Sequence, residues 1–149
     1  LAAAKQDKRV NWVVGSNANL PVLPGTLDRV LCLFGFPVYA EFARVLKPGG
    51  RLVQVDAGPD HLRALREIIY PSLKPERPAG MQAPEGFSRL PAEALRFSIE
   101  LTSPEQIADL LAMTPHLHRA SAEGRAAAAA LTTLSLSVDV RLTCFERSP

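Results

Sequence analysis

The chain has 149 residues, of which 47% are hydrophobic and 21% charged, a composition typical of one globular domain with its own core. The formal net charge is +2, and Lys and Arg are spread along the chain, so charge alone does not indicate a nucleic-acid partner. The sequence has no apolar run near the roughly 18 residues that a membrane-spanning helix needs and no signal-peptide pattern, so we expect a cytoplasmic protein with no membrane partner.

The first 21 residues predict the end of a helix, a strand and a polar loop. Residue 1 is Leu rather than Met, and Leu1–Lys5 resembles the last turn of a helix, so we expect the chain to be part of a longer protein. Val10–Val14 is rich in β-branched residues and predicts a strand that ends at Gly15. The small polar residues of the loop 15–21, Ser16 and Asn17 among them, are able to hydrogen-bond a flat heterocycle, and a plain turn is the alternative.

The middle of the chain alternates strands with helices, which indicates parallel β-α-β units. The predicted elements are a strand at Val30–Phe34, a turn at Gly35-Phe36-Pro37, a helix from Val38 to Lys47, a stop at Pro48-Gly49-Gly50, a strand at Leu52–Val55 and a helix from Pro59 to about Tyr70. Parallel sheets bind ligands beyond the carboxyl ends of their strands. We therefore expect any active site at Phe34–Pro37 and Asp56–Asp60.

The second half of the chain predicts a long loop and then an antiparallel strand pair. Residues 71–93 hold five prolines, so they form a loop or lid, for which a substrate-covering role and simple flexibility are both open. Two helices, one capped by Ser103 and Gln106 and one at about Ser121–Leu131, make a helical insertion at 103–131. The strand at 134–143 alternates strictly between apolar and polar residues, which favours antiparallel pairing with the strand at 94–101.

Cys32 and Cys144 both fall in predicted strands and have no metal-ligand spacing. We expect two buried thiols in a reducing compartment rather than a disulfide, and no metal site.

One segment carries a family resemblance: Arg44-Val45-Leu46-Lys47-Pro48-Gly49-Gly50, between the Asp-led strand and the next one, resembles class I S-adenosylmethionine-dependent methyltransferases. Further segments resemble the RlmA-type enzymes, and these are Gly58-Pro59 with His61-Leu62, Ile69-Tyr70, Glu85-Gly86-Phe87, and Leu111 to Pro115 before Arg119-Ala120. The resemblance covers nearly the whole chain. It implies a partial Rossmann-like class I methyltransferase fold, with a mostly parallel sheet and a terminal antiparallel pair, over residues 1–149.

The resemblance also implies a function. RlmA-type enzymes methylate a ring nitrogen of guanine in a hairpin of large-subunit ribosomal RNA, and one branch is associated with macrolide resistance. The family begins with a four-cysteine zinc module, a glycine-rich cofactor loop and an acidic residue for the cofactor ribose, and this sequence contains none of them. Because the backbone approaches the cofactor at that loop, we expect the isolated chain to bind S-adenosylmethionine poorly and to be inactive alone.

The resemblance assigns roles to individual residues. It places Ser16 and Asn17 at the cofactor adenine, and Phe34, Gly35 and Phe36 beside the methyl group, where they could stack on a flipped guanine. It implies a substrate wall of Phe36, Gly58, Thr114, His116 and Arg119. A base must remove the proton of the guanine ring nitrogen, and Asp56 and His61 are the candidates near the right strand end. His61 matches the family pattern, with an inert surface histidine as the alternative, and for Asp56 the alternative is a turn residue. For Phe34 and Phe36 the alternative is the core at a strand end, and for His116 and His118 it is a solvated loop.

Two other functions remain open. A small-molecule methyltransferase would keep the Lys-Pro-Gly-Gly region without needing a zinc module. A non-catalytic binding or assembly subunit is favoured if the natural protein begins near Leu1. The oligomeric state is also open, with a homodimer among the alternatives.

Overall fold

The computed structural model describes residue 5 and residues 7–73 and 82–149. These residues form one sheet with helices on its two faces. The strands are β1 (Leu27–Leu33), β2 (Leu46–Ala57), β3 (Phe87–Arg89), β4 (Glu93–Leu101) and β5 (Leu134–Arg147). The helices are α1 (Tyr39–Val45), α2 (Arg63–Ile69), α3 (Pro104–Met113), α4 (His116–Arg119) and α5 (Ala122–Ala129).

The long strand β5 lies in the middle of the sheet. One of its edges pairs antiparallel with β2, and its other edge pairs antiparallel with β3 near its end and with β4 along the rest. The predicted pairing of the strands at 94–101 and 134–143 is confirmed. Only β1 and β2 are parallel among the described strands, so the expectation of a mostly parallel sheet is corrected to a mixed one. This arrangement cannot be predicted from the sequence, because the alternation of apolar and polar residues in a strand does not show whether both of its edges are paired.

Two hydrophobic clusters lie on opposite faces of the sheet. On the first face α1 packs against β1, β2, β3 and β5, through Cys32, Phe42, Leu46, Leu52, Phe87 and Phe145. On the second face the other helices pack against one end of β4 and β5, through Leu62, Leu65, Ile69, Leu111, Ala120, Ala128 and Leu136. Leu31 and Leu33 also point to the second face, and both are exposed. Cys32 and Cys144 are free thiols, but only Cys32 is buried, so the expectation that both are buried is wrong for Cys144. They lie opposite neighbouring residues of β2, which places them on different faces.

The helix α1 ends two residues earlier than predicted. The residue before a proline is disfavoured in helical conformation, so Lys47 cannot continue the helix into Pro48. The backbone instead turns extended at Leu46, which is fully buried as the first residue of β2. Residues 47–50 then bulge out of the ladder, and Gly49 there has a φ of +73°.

The helix α2 begins at Arg63, so the prediction that Pro59 occupies its first position is wrong. Leu62 has a left-handed backbone with a φ of +50°, which does not belong in a right-handed helix. Residues 58–62 therefore form a turn between β2 and α2. We call this segment the β2–α2 turn.

Val10–Val14 forms no strand, so that prediction is wrong. These residues are exposed, Val14 completely, and the structure describes no strand that pairs with them. A β-branched run becomes a strand only when another strand accepts its backbone hydrogen bonds.

The helical insertion follows the predicted signals. Ser103 caps α3, since its Oγ accepts the Gln106 amide at 3.3 Å, and Gln106 in turn accepts the Thr102 amide at 2.7 Å. Ser121 caps α5 in the same way, although this helix ends at Ala129 rather than Leu131. The range 71–93 includes β3, and residues 74–81 lie outside the described residues, so the lid stays a prediction.

Candidate active site at the ends of two parallel strands

The two turns predicted to hold the site lie side by side. In the parallel pair of β1 and β2, Leu33 is level with Val55, and the Phe34 amide donates to the Val55 carbonyl at 2.9 Å. The segments that leave these strands therefore start at the same edge of the sheet. This confirms the expected adjacency of Phe34–Pro37 and Asp56–His61.

Phe34 and His61 join the two turns. Their rings stack with centroids 5.4 Å apart and an angle of 28° between their planes. Phe34 has a φ of +52°, a left-handed conformation that is costly for an aromatic residue, and its side chain is 58% exposed. Strained residues held at the surface cluster at binding and catalytic sites. The exposure and backbone conformation of Phe34 therefore favour a place in the site over the alternative, a place in the core.

The polar loop reaches the same edge. Asn17 donates from Nδ2 to the Phe36 carbonyl at 3.0 Å, which ties this loop to the turn after β1. Ser16 accepts the Ala18 amide on its Oγ at 3.2 Å, a local turn contact. Gly35 lies beside Asn17, since a Cβ at Gly35 would be 3.9 Å from Asn17 Nδ2 and 3.3 Å from Cys32 Sγ. Four predicted cofactor-contacting residues are thus brought together.

An ion pair on α1 anchors this loop. Glu41 accepts the Leu20 amide at 2.7 Å and two hydrogen bonds from Arg44, at 2.6 and 2.8 Å. Arg44 also donates to the Leu20 and Val22 carbonyls. The Arg44 guanidinium, with the Leu20 amide, lowers the pKa of Glu41 to about 2. Arg44 belongs to the segment that resembles methyltransferases, and its structural role is to hold the loop.

Asp56 lies at the end of β2, beside a cavity of about 400 Å³ on the α1 face of the sheet. Its Oδ2 accepts Gln54 Nε2 at 2.7 Å, and Gln54 accepts the Tyr39 hydroxyl at 2.9 Å. Arg89, Thr143 and Phe145 complete much of the lining. Carboxylate, amide, hydroxyl and guanidinium groups thus line a cavity whose volume is within the range of small-molecule binding sites.

Asp139 is a buried residue that the sequence analysis missed. The alternation of β5 assigned Asp139 to a solvent-facing position, yet the residue is only 5% exposed. Its carboxylate accepts the Asp60 amide at 2.9 Å and Arg96 Nη2 at 3.2 Å. Its main-chain oxygen accepts the Gly58 amide at 2.8 Å. These bonds hold the β2–α2 turn against β5, and no local pattern in the sequence signals them.

Gly58 leaves room for that carboxylate. A Cβ at Gly58 would lie 2.5 Å from the Asp139 carboxyl carbon, closer than atoms pack. The residue is buried, so the structure offers an intramolecular reason for glycine at this position. The predicted substrate contact of Gly58 stays a prediction.

His61 is half-buried, and burial lowers its pKa below the ordinary value, with a smaller lowering from Arg66 and an opposing effect of Asp139. Its Nδ1 accepts the Asp139 main-chain amide at 3.3 Å. The imidazole is therefore neutral at neutral pH.

Thr114, His116 and Arg119 lie at the end of α3 and in the short helix α4. Thr114 Oγ1 donates to the Leu111 carbonyl at 3.1 Å. His116 Nδ1 shares a hydrogen bond of 2.7 Å with the Tyr70 hydroxyl, and burial lowers the pKa of His116, with further lowering from Arg66 and Arg119. His118 and Arg119 are exposed, within a helix rather than a loop. His61 also lowers the pKa of His116, so His116 lies within electrostatic range of the β2–α2 turn. The substrate role of Thr114, His116 and Arg119 stays a prediction.

Within the described ranges, no group of three or more His, Cys, Asp or Glu residues is arranged to hold a metal ion. None of the helices described is both long and apolar enough to cross a bilayer.

Comparison with known proteins supports the fold. No protein-family model matches the chain. A curated relative from Bacillus subtilis (strain 168), named "Putative 23S rRNA (guanine-N(1)-)-methyltransferase YxjB", is 33% identical over 119 residues, which are 77% of this chain and 42% of the relative. The chain thus spans about two fifths of the length of that relative.

Two solved structures are also similar. One, reported as "Conversion of a Disulfide Bond into a Thioacetal Group during Echinomycin Biosynthesis", has a TM-score of 0.55 at 10% identity over 99% of this chain and 60% of the other. The second, from Bacillus halodurans and named a "putative methyltransferase", has a TM-score of 0.48 at 14% identity over 99% of this chain and 75% of the other. At 10% identity the likeness to the first structure concerns the fold alone. The chain has the partial Rossmann-like α/β fold that the sequence predicted, although its sheet is mixed rather than mostly parallel.

Proposed function

We propose that the protein to which this chain belongs is an S-adenosylmethionine-dependent methyltransferase that acts on ring nitrogen N1 of a guanine in 23S ribosomal RNA. The observation that carries the proposal is the Phe34–His61 stack, which joins two parallel strand ends into one site. The similarity to YxjB supports the same reaction. The substrate partner is then a hairpin of the large-subunit RNA.

The residues at this edge fit one side of the cofactor. Asn17, Ser16 and Gly35 present amide, hydroxyl and open backbone beside Phe34. S-adenosylmethionine supplies a methyl group on a sulfonium centre. Catalysis is then mainly alignment of the guanine nitrogen with that methyl group, and an exposed aromatic ring such as Phe34 or Phe36 is suited to stack on an extruded base.

The guanine nitrogen must lose a proton as it gains the methyl group. In the proposed reaction the N–C bond forms, the S–C bond breaks, and the proton goes to the Asp56 carboxylate, the described carboxylate at the end of β2 that faces a cavity. The products are N1-methylguanine and S-adenosylhomocysteine.

The test is transfer of labelled methyl from S-adenosylmethionine to unmodified 23S RNA by the intact protein, followed by mapping of the product. Asp56→Asn should lower the rate by about 10²- to 10⁴-fold, the range of general-base contributions. Asp28→Asn is the matched control, because Asp28 is exposed at the start of β1 and paired with Lys47. An Asp56→Asn protein as active as the control would remove Asp56 from the reaction.

A second candidate is a small-molecule methyltransferase, which the cavity of about 400 Å³ beside Asp56 favours. Methylation of free nucleosides or other small acceptors with no transfer to RNA would establish this alternative. The macrolide-resistance role remains a prediction, and its test is the drug sensitivity of cells with and without the intact protein.

A further inference from the structure

The β2–α2 turn is held by one buried carboxylate. Asp139 receives hydrogen bonds from the Asp60 amide and from Arg96, and its main-chain oxygen receives the Gly58 amide. Arg96 also pairs with Asp60 Oδ2 at 2.6 Å, so the guanidinium bridges the turn and β5. A buried carboxylate needs such partners, since a charge taken out of water without them is very costly. Gly58 provides the space that the carboxylate occupies.

The same residue determines the hydrogen bonding of His61. The main-chain amide of Asp139 donates to Nδ1 of the His61 imidazole, and the same imidazole stacks on the Phe34 ring. A neutral imidazole has one protonated nitrogen, and the hydrogen bond at one nitrogen determines which it is. With Nδ1 acting as an acceptor, the proton of His61 is on Nε2.

We propose that Asp139 is a positioning residue that holds the β2–α2 turn so that His61 presents its Nε2–H as a hydrogen-bond donor to the substrate. This inference rests on the proposed function. When guanine N1 loses its proton, negative charge spreads to the neighbouring O6 atom, and a donor aimed at O6 stabilises that charge. His61 does not take the proton itself, because its Nδ1 lone pair is engaged and its Nε2 is already protonated.

The first experiment measures the tautomer of His61 and is independent of activity. Nitrogen NMR of the protein labelled at histidine, with His61 assigned by loss of its signals in His61→Ala, should show the Nε2–H tautomer above the pKa of the ring. Asp139→Asn should shift His61 toward a mixture of tautomers, because the turn loses its carboxylate anchor. Asp60→Asn removes an equal charge beside Arg96 but keeps the Asp60 amide bonded to Asp139, so it should leave the tautomer unchanged.

A His61 that carries its proton on Nδ1 in the unaltered protein would overturn the proposal. So would equal effects of Asp139→Asn and Asp60→Asn. If Asp139→Asn does not fold, Gly58→Ala takes its place, since the added methyl group displaces the carboxylate. That variant should also mix the tautomers, and an unchanged spectrum in a folded Gly58→Ala protein would contradict the assignment.

The second experiment separates donation from proton abstraction. In the RNA methylation assay, Asp139→Asn should lower kcat by about tenfold to a hundredfold, as misplacement of a reacting group does. His61→Gln, which keeps an N–H donor, should retain much more activity than His61→Ala. Equal loss in both would overturn the donor role. If the tautomer results hold but no RNA is methylated, the proposed function is wrong and the positioning of His61 stands.

Discussion

Phe34 stacks on His61 at a centroid distance of 5.4 Å, and the two residues lie in the turns that follow β1 and β2, the one parallel pair in the described sheet. Phe34 has a left-handed backbone conformation, and more than half of the residue is exposed to solvent. A ring exposed in this way contributes little to the core. Its position therefore favours a role in binding over one in folding.

The first prediction concerns that ring. Phe34→Ala removes a mostly exposed side chain and one aromatic contact worth about 0.5–1.5 kcal/mol, so the free energy of unfolding should fall by about 1 kcal/mol. Methyl transfer by the intact protein should fall much further, by more than about tenfold, because the base loses its stacking surface. Denaturant unfolding and the RNA assay measure the two effects.

The control for that experiment is Leu23→Ala, which removes an apolar side chain from a residue that is 74% exposed and lies before the start of β1, at the opposite end of that strand from Phe34. It should leave both stability and activity near their starting values. A Phe34→Ala protein with full activity would remove Phe34 from the site.

The second prediction concerns the close crossing of α5 and α2. At Gly124 in α5 a Cβ would overlap the main-chain carbonyl of Ile69 at the end of α2. Overpacking costs typically about 1–3 kcal/mol. The gain of about 1 kcal/mol in helix propensity offsets only part of this. Gly124→Ala should therefore destabilise the protein by up to about 2 kcal/mol in thermal or urea unfolding. Ala126→Ser on the exposed side of the same helix should change stability by less than about 0.5 kcal/mol, and a stabilised Gly124→Ala protein would contradict the close crossing.

The third prediction concerns pH. Arg44 and the Leu20 amide lower the pKa of Glu41 to about 2 from an ordinary value of 4.5. Because the folded pKa is the lower one, the unfolded chain binds a proton first, and the stabilisation by this group is complete above pH 4.5. It should be lost as the pH falls from 4.5 toward 2. The Leu20 amide resonance should titrate with a midpoint near 2, since that amide donates directly to Glu41.

Glu41→Gln provides the matching variant. It should remove the acid titration of the Leu20 amide and increase its hydrogen exchange, since a neutral amide oxygen accepts more weakly than a carboxylate. Asp28→Asn breaks the exposed pair with Lys47 at the opposite end of β1 and should leave the Leu20 amide unchanged. A Leu20 midpoint near 4.5 in the unaltered protein would show that this ion pair does not form in solution.

The fourth prediction tests the packing of Gly58 against Asp139. Gly58→Ala should destabilise the protein by about 1–3 kcal/mol, because its methyl group overlaps the carboxylate. In a protein that already carries Asp139→Ala, the same change should cost much less, since the overlapping atoms are gone. The double-mutant cycle therefore has a coupling free energy well above the roughly 0.5 kcal/mol of independent sites. Additive effects would show that the two residues do not touch.

The sequence by itself determined the elements whose signals are local. Alternation over ten residues marked β5 and its pairing with β4, while Ser103 and Ser121 marked the starts of α3 and α5. Glycine and proline after apolar runs marked the edge where Phe34 and Asp56 lie. Strand alternation, helix caps and turn residues all act within a few residues, so they can be recognised without knowing the fold.

Only the tertiary structure decided which groups lose their water and which strands find partners. Val10–Val14 has the residues of a strand but no described neighbour to pair with, whereas Asp139 occupies a polar position of β5 and is buried by the β2–α2 turn. The left-handed backbone at Leu62 likewise moved the start of α2 to Arg63. Burial and pairing are long-range properties, since Asp139 meets Asp60 and His61 from a distant part of the chain, and no short window of sequence contains both sides of such a contact.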